Sequence, residues 1–227
     1  MAFATIDVTK GITGTIPVTN GGTGLTSGTT DQFLKFTGTT TLASAADNAG
    51  AMVLIKTQTA SGSSSINFIN GTSGVVFDST YKTYFIKGHG IVAENSGPEL
   101  MMQITTDGGS SYKTSGYNSG LFRGYTNGSD HGTDWDTRTN GFYLMRNSGN
   151  GADDHNSIQG YINEATGTGY PQYSGMSVGR EHSGTYVNIN CGSGGVYMSA
   201  TAFNGFRILY ESGNINEGVF SLYGLVE

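Results

Sequence analysis

The sequence predicts an all-β protein in which an extended N-terminal arm and shaft precede an antiparallel, jelly-roll-like β-sandwich. Three observations support this. The 227 residues include 37 Gly, and only 12% are charged, whereas ordinary globular proteins carry about 25% charged residues. The 13 Tyr and 11 Phe suffice to build a core. Short apolar segments alternate with turns rich in Gly, Asn, Ser and Asp, and no segment of useful length has helical periodicity.

Residues 1–50 form the predicted arm and shaft. They contain 13 Thr, 8 Gly and 2 Ser, so they cannot bury enough apolar surface to fold alone, while β-branched Thr favours an extended backbone. We expect three copies to order this segment together, as a homotrimer. Residues 31–38 predict a short strand, and residues 43–49 allow one helical turn. The sparse apolar anchors are the predicted attachment residues: Phe3, Ile6, Val8, Ile16, Pro17 and Val18.

Residues 51–227 form the predicted sandwich, a size that supports its own core. Glycines 88 and 90 are expected to interrupt one long strand, and the sequence Asp107-Gly-Gly predicts a hairpin. The last strand ends on apolar residues and should be tucked into a sheet. The predicted strands cover residues 52–58, 65–69, 81–93, 99–106, 121–125, 141–146, 157–164, 174–180, 185–190, 195–203, 205–211 and 218–226.

Charge and cysteine content exclude several classes of protein. The net charge of −6 and the absence of a Lys/Arg cluster argue against nucleic-acid binding. There is no apolar run long enough for a membrane-spanning helix, so we expect no membrane insertion. The N-terminus has neither the basic nor the apolar part of a secretory signal. Cys191 is the single cysteine, so an intrachain disulfide is excluded, and we interpret it as a small buried apolar residue.

The candidate binding segment is a predicted long loop that holds the only Trp of the chain. Loops on a rigid sandwich commonly carry binding residues. A Trp ring can stack on the apolar face of a sugar while neighbouring polar side chains engage its hydroxyls. The alternative is that Trp135 caps one end of the core. The candidate receptor-binding residues are Tyr125, Asp130, His131, Asp134, Trp135, Asp136 and Arg138.

The same segment offers carboxylate oxygens to a cation. Asp130, Asp134 and Asp136 could contribute to a Ca²⁺ site, which takes six to eight oxygen ligands, but their spacing lacks the alternation of a calcium-binding loop. The acidic sequence Asp153-Asp154-His155 is interpreted as a solvated turn. The four histidines are dispersed without metal-ligand spacing. No metal ligand and no cofactor is therefore assigned.

No complete catalytic motif is found in the sequence. The Gly-x-Ser-x-Gly match at residues 175–179 lies within a predicted strand and not at the strand-to-helix turn of a nucleophile elbow, and there is no His-Glu-x-x-His pair and no Walker loop. Depolymerising fibres that use paired carboxylates are longer and repetitive, and this chain has no regular solenoid period. We therefore expect that the protein is not an enzyme.

Several motifs resemble bacteriophage virion proteins. The sequence IPVTNGGTGLTS at residues 16–27 resembles a linker common in phage tail fibres. Three further segments are similar to a module of phage structural and tail-fibre proteins, especially those of cyanophages. These segments are DSTYKTYFI (78–86), QITTDGGSSY (103–112) and SGNINEGVFSLYG (212–224).

The resemblance implies a tail fibre made in the host cytoplasm that acts outside the cell as part of the virion. Its N-terminal arm would dock on another phage tail, baseplate or capsid protein. Its sandwich would bind a host surface receptor, a glycan or a protein. The alternative is a capsid decoration, head fibre or other purely structural virion protein with no receptor role.

Overall fold

The structure is a computed structural model that describes Thr23 and residues 32–39, 41–45, 52–78, 80–163, 165, 167, 169–181 and 187–226. The chain divides into two units, Met1–Gly50 and Ala51–Glu227. Every regular element within the described residues is a β-strand, and every pairing is antiparallel. The predicted all-β, antiparallel class is therefore confirmed.

The first unit contains one described hairpin, in which β1 (Phe33–Phe36) pairs with β2 (Leu42–Ala45). The Ser44 hydroxyl donates to Gln32 Oε1 at 2.6 Å. The predicted strand within residues 31–38 is present, but the helical turn at 43–49 is wrong for residues 43–45, because they pair in β2. Residues 46–49 lie outside the described residues of the chain. So do the predicted attachment residues, which are Phe3, Ile6, Val8, Ile16, Pro17 and Val18.

The described residues of the second unit form twelve strands. They are β3 (Met52–Ser63), β4 (Ile66–Ile69), β5 (Thr83–Ala93), β6 (Leu100–Thr105), β7 (Tyr117–Thr126), β8 (His131–Arg138), β9 (Phe142–Met145), β10 (Asn156–Asn163), β11 (Gln172–Arg180), β12 (Val187–Tyr197), β13 (Gly205–Tyr210) and β14 (Ile215–Leu225).

These strands form two sheets. An eight-stranded sheet has the order β3-β14-β5-β10-β11-β12-β7-β8, and a four-stranded sheet has the order β4-β13-β6-β9. The structure has a single strand, β12, where the sequence predicts two strands at 185–190 and 195–203. β12 ends at Tyr197, so residues 198–203 are not part of it. The glycines at 192, 194 and 195 do not break β12, because its ladder to β7 runs along its whole length.

The two sheets face each other across a common aromatic core. Phe77, in the connection between β4 and β5, contacts Tyr84 of the eight-stranded sheet, with ring centroids 4.8 Å apart. The same ring lies 5.7 Å from Phe206 of the four-stranded sheet, and Phe206 packs on Phe68 at 5.2 Å. All four side chains are buried. The arrangement is that of a β-sandwich, with apolar inner faces packed together.

The predicted interruption of β5 is a β-bulge within a continuous strand. Ile158 of β10 pairs with Gly88, whereas Asn156 pairs with Ile91, so β5 carries one extra residue. Gly90 has φ +62°, which a side chain would disfavour. Gly88 faces the core, where an added Cβ would lie 3.0 Å from Ile158. The strand therefore needs glycine at one position for its backbone and at the other for packing.

The hairpin expected at Asp107-Gly-Gly is absent, and this prediction is wrong. β6 pairs with β13 and β9, whereas β7 belongs to the other sheet. The turn itself forms, because the Asp107 carboxylate accepts hydrogen bonds from the backbone N–H and the hydroxyl of Ser111 at 2.9 and 2.5 Å. These bonds, with one from Thr105, lower the pKa of Asp107 to about 2. Turn chemistry fixes the local reversal but not the partner of the next strand.

The last strand lies inside the eight-stranded sheet, as the sequence predicts. β14 pairs with β3 on one side and with β5 on the other. Its inward side chains Phe220 and Leu222 are fully buried. Leu225 pairs with Met52, so the first and last strands of this unit meet at one edge of the sheet.

Candidate functional site

The candidate binding residues lie on the β7–β8 hairpin. The predicted long loop is wrong, since His131–Arg138 pair with β7 along their whole length. Only residues 127–130 form the turn, in which the Asn127 carboxamide oxygen accepts the backbone N–H groups of Ser129 and Asp130 at 3.1 and 2.6 Å. The apolar alternation that identifies a strand is missing from β8, because its inward side chains are charged.

The hairpin separates the candidate residues onto two faces. His131 and Trp135 lie on the outer face of the sheet, while Asp134, Asp136 and Arg138 occupy the alternate, less exposed positions. Tyr125 also lies on the inner side, where its ring covers Gly132 and stands 5.1 Å from the Arg123 guanidinium. Asp130 belongs to the turn. The sequence grouping therefore combines two different surfaces.

Trp135 is an outward-facing residue of an edge strand. It is 75% exposed, so it does not cap the core, and that alternative is wrong. Its cross-strand partner is Phe122 of β7, which is itself 48% exposed. Two adjacent exposed aromatic rings on a rigid hairpin form an apolar patch of the kind that marks an interaction site.

The inner side of the hairpin holds a network of ion pairs. Arg123, whose side chain is 7% exposed, donates through Nε and Nη2 to the two Asp134 oxygens at 3.0 and 2.9 Å. Arg146 donates to the same carboxylate at 2.8 Å, and Glu181 lies 3.5 Å from Arg123. The hydrogen bond from Arg123 lowers the pKa of Asp134 despite the opposing effect of burial. This carboxylate is a structural partner of arginine.

A second group of ion pairs surrounds Arg138. Its guanidinium pairs with Glu99, reaches Glu211 at 3.4 Å and lies 4.0 Å from Asp136. Thus the carboxylates of Asp134 and Asp136, two of the three offered for Ca²⁺, both face guanidinium groups, which disfavour a cation. Among the residues that the structure describes, no three His, Cys, Asp or Glu side chains come together as a metal site.

The outer face also carries a groove that the sequence did not reveal. It has a volume of about 340 Å³ and is lined by Phe85, Gln159, Gly160, Tyr161, Ser174, Gly175 and Met176. The Phe85 and Tyr161 rings lie 5.2 Å apart. Phe85 stands between two residues that are apolar and buried, Tyr84 and Ile86, so composition alone does not mark it as exposed. The alternation of side chains along a strand was the available signal, because it places Phe85 on the opposite face.

Comparisons with known proteins supply no relative. No family model matches the chain, no curated protein matches it, and no solved structure matches it. Within the described ranges, no helix has the length and apolarity needed to cross a membrane. Function is therefore inferred from the geometry of the two outer-face sites and from the motifs of the sequence.

Proposed function

We propose that this chain is a bacteriophage virion fibre protein, a tail fibre, that binds a host surface glycan through the sheet face carrying Trp135. The observation that carries the proposal is the 75% exposure of Trp135 on a paired strand beside Phe122. A Trp side chain has only two rotatable bonds, so it loses little conformational entropy on binding, and its ring fits the apolar face of a pyranose.

The position of Trp135 within the second unit suits a fibre tip. β8 is one edge of the eight-stranded sheet, and β3, where this unit begins, is the opposite edge. Seven strand spacings separate these edges, about 33 Å. The aromatic patch is thus far from β3, the strand through which the chain enters the unit. This distance supports binding of the receptor at the free end of the fibre.

The remaining parts of the proposal extend it to the whole fibre. Residues 1–50 form the extended arm and shaft, whose apolar anchors dock on a tail, baseplate or capsid protein. Three copies assemble, and the second unit is a jelly-roll-like knob in each. The protein acts in the virion and is not an enzyme. Weak single glycan sites would gain strength from several copies that bind at once.

The test uses the single Trp of the chain as its own reporter. Purified full-length protein is incubated with an array of bacterial surface polysaccharides, and positive glycans are then titrated while Trp emission is followed. Stacking of a sugar on Trp135 should change the emission. The change can be assigned to Trp135, because the chain contains no other Trp. Trp135→Ala should weaken array binding about tenfold or more, the loss typical of an aromatic hot spot.

Met198→Ala is the matched control, since Met198 is 58% exposed and lies just after β12. It should bind like the wild type. Equal binding by wild type and Trp135→Ala would remove the site assignment. If the wild-type protein binds no polysaccharide and no host cell, the capsid-decoration alternative is favoured instead.

A further inference from the structure

The groove and Trp135 are connected by two rows of cross-strand neighbours on the outer face of the eight-stranded sheet. Cross-strand register places Gln159 beside Met176, Gly192 beside Phe122 and Phe122 beside Trp135. Met176 and Gly192 meet at the register shift between β11 and β12. This row runs from β10 to β8, and its ends are four strand spacings apart, about 19 Å.

The neighbouring row runs parallel to the first. It contains Tyr161 on β10 and Ser174 on β11, then Gly194 on β12, Gly120 on β7 and Thr137 on β8. The second row therefore begins with an aromatic residue on β10, Tyr161, and the first row ends with one on β8, Trp135, with glycines between them on β12 and β7.

The glycines of these two rows, here called the glycine floor, leave the middle of the surface between the two aromatic sites without side chains. A Cβ added at Gly192 would meet no atom within 4 Å, and one added at Gly120 would meet nothing closer than 3.5 Å. A Cβ at Gly192 or Gly120 would therefore meet no close obstacle and would cover the surface, whereas Gly194 is needed for packing, because its Cβ would lie 2.8 Å from the Tyr173 carbonyl oxygen. Glycine in a strand is otherwise destabilising, and it often marks a place where another molecule approaches the backbone.

Between β10 and β8 the two rows carry no charged side chain, although the chain has a net charge of −6. The first row continues onto β5 with Lys87, which pairs with Gln159. The polar groups between β10 and β8 are one amide, Gln159, and the hydroxyls of Ser174 and Thr137. Acidic polymers and phosphate groups are matched by arginine and lysine, which neither row contains from β10 to β8. The chemistry therefore suits a neutral ligand with hydroxyl groups and apolar ring faces.

We propose that this outer face binds an extended, uncharged polysaccharide, which lies across the strands from the Tyr161 groove over the glycine floor to Trp135. This inference rests on the proposed glycan-binding function and specifies its ligand: the polysaccharide is recognised along its chain and not at its terminal sugar. A single sugar ring is too small to contact both aromatic ends. A second protein copy fits less well, because interface cores are contiguous and apolar, and here glycines separate the apolar ends.

The experiment compares ligand lengths. Linear oligosaccharides of increasing length are prepared from the uncharged polysaccharide with the strongest array signal, and binding to the full chain is measured by calorimetry. Affinity should rise with length until the ligand spans both sites. Tyr161→Ala and Gly192→Leu should weaken the longest ligand about tenfold. The shortest fragment that still binds should change Trp emission by the same amount in the wild type and in both variants.

Controls separate this inference from the proposed function. Met198→Ala should match the wild type at every length, and circular dichroism checks the fold of each variant. If affinity does not depend on length and Tyr161→Ala is neutral while Trp135→Ala loses binding, the extended ligand is wrong but glycan binding stands. If Trp135→Ala is also neutral, both proposals fail.

Two further outcomes would overturn the inference. Binding of acidic polysaccharides alone would contradict the uncharged ligand. A changed oligomeric state of Gly192→Leu in analytical ultracentrifugation, without a change in glycan affinity, would identify this face as a contact between copies.

Discussion

Replacing Arg123 tests whether the network behind the Trp135 hairpin holds β8 in place. In Arg123→Met the apolar stem remains and the guanidinium is lost. Two hydrogen bonds to Asp134 disappear, and so does the ion pair with Glu181. Removing one partner of a buried ion pair costs about 3–5 kcal/mol. Asp134 is one-third exposed and keeps Arg146, so we expect a loss of about 2–3 kcal/mol in unfolding free energy.

The assay is urea unfolding of the full chain, followed by circular dichroism at one protein concentration. Lys87→Met is the control, because Lys87 is an exposed position on the outer face of β5. Substitutions at such surface positions usually change stability by no more than about 0.5 kcal/mol. If Arg123→Met is no less stable than Lys87→Met, the network does not stabilise the hairpin.

The same comparison has a defined pH dependence. The pKa of Asp134 is lowered in the folded state by Arg123, so the stability it contributes is present above the unfolded pKa of about 3.9. That stability is lost as pH falls through the lower, folded pKa. The difference between wild type and Arg123→Met should therefore be constant near neutral pH and shrink below about pH 4. An undiminished difference in strong acid would contradict this reasoning.

Three further predictions concern packing and titration. Gly160→Ala should lose about 1–3 kcal/mol in urea unfolding, because its Cβ would lie 2.5 Å from the Tyr173 ring; unchanged stability would contradict this. Burial raises the pKa of Tyr84 to about 12, so its stabilising effect is complete below about pH 10 and is lost as pH rises further; ionisation near 10 in a wild-type minus Tyr84→Phe absorbance titration would refute it. The Asp107 carboxylate should titrate at about 2 by NMR, and Ser111→Ala should raise this pKa toward the ordinary value of 3.8; a wild-type midpoint at 3.8 would be inconsistent with the hydrogen-bonded turn.

Strands with apolar side chains on one face were predictable from the sequence. β10 alternates buried Ile158 and Ile162 with exposed positions, and β14 alternates buried Phe220 and Leu222 with half-buried positions. Strands that place charge inward were not predictable. β8 alternates as regularly, but its inner positions hold Asp134, Asp136 and Arg138, whose burial depends on partners from distant parts of the chain.

The exposure of Trp135 was predictable from the sequence, but the extent of the candidate site was not. Trp135 stood out because it is the only Trp in a polar segment. Its neighbours in sequence were grouped with it, although alternation along the strand sends Asp134 and Asp136 to the other side. The Tyr161 groove depends on the register between β5, β10 and β11, and pairings between distant strands are not encoded in local pattern.

The position of β14 between β3 and β5 affects how the protein is made. Within the described part of the chain β14 is the one strand that pairs with β3, so Met52–Ser63 forms this pairing only after residues 215–225 have emerged from the ribosome. Contacts between such distant segments slow folding, because a long loop must close first. During translation β3 would remain unpaired until β14 is made. A chain terminated before residue 215 would leave both β3 and one edge of β5 unpaired and prone to aggregation.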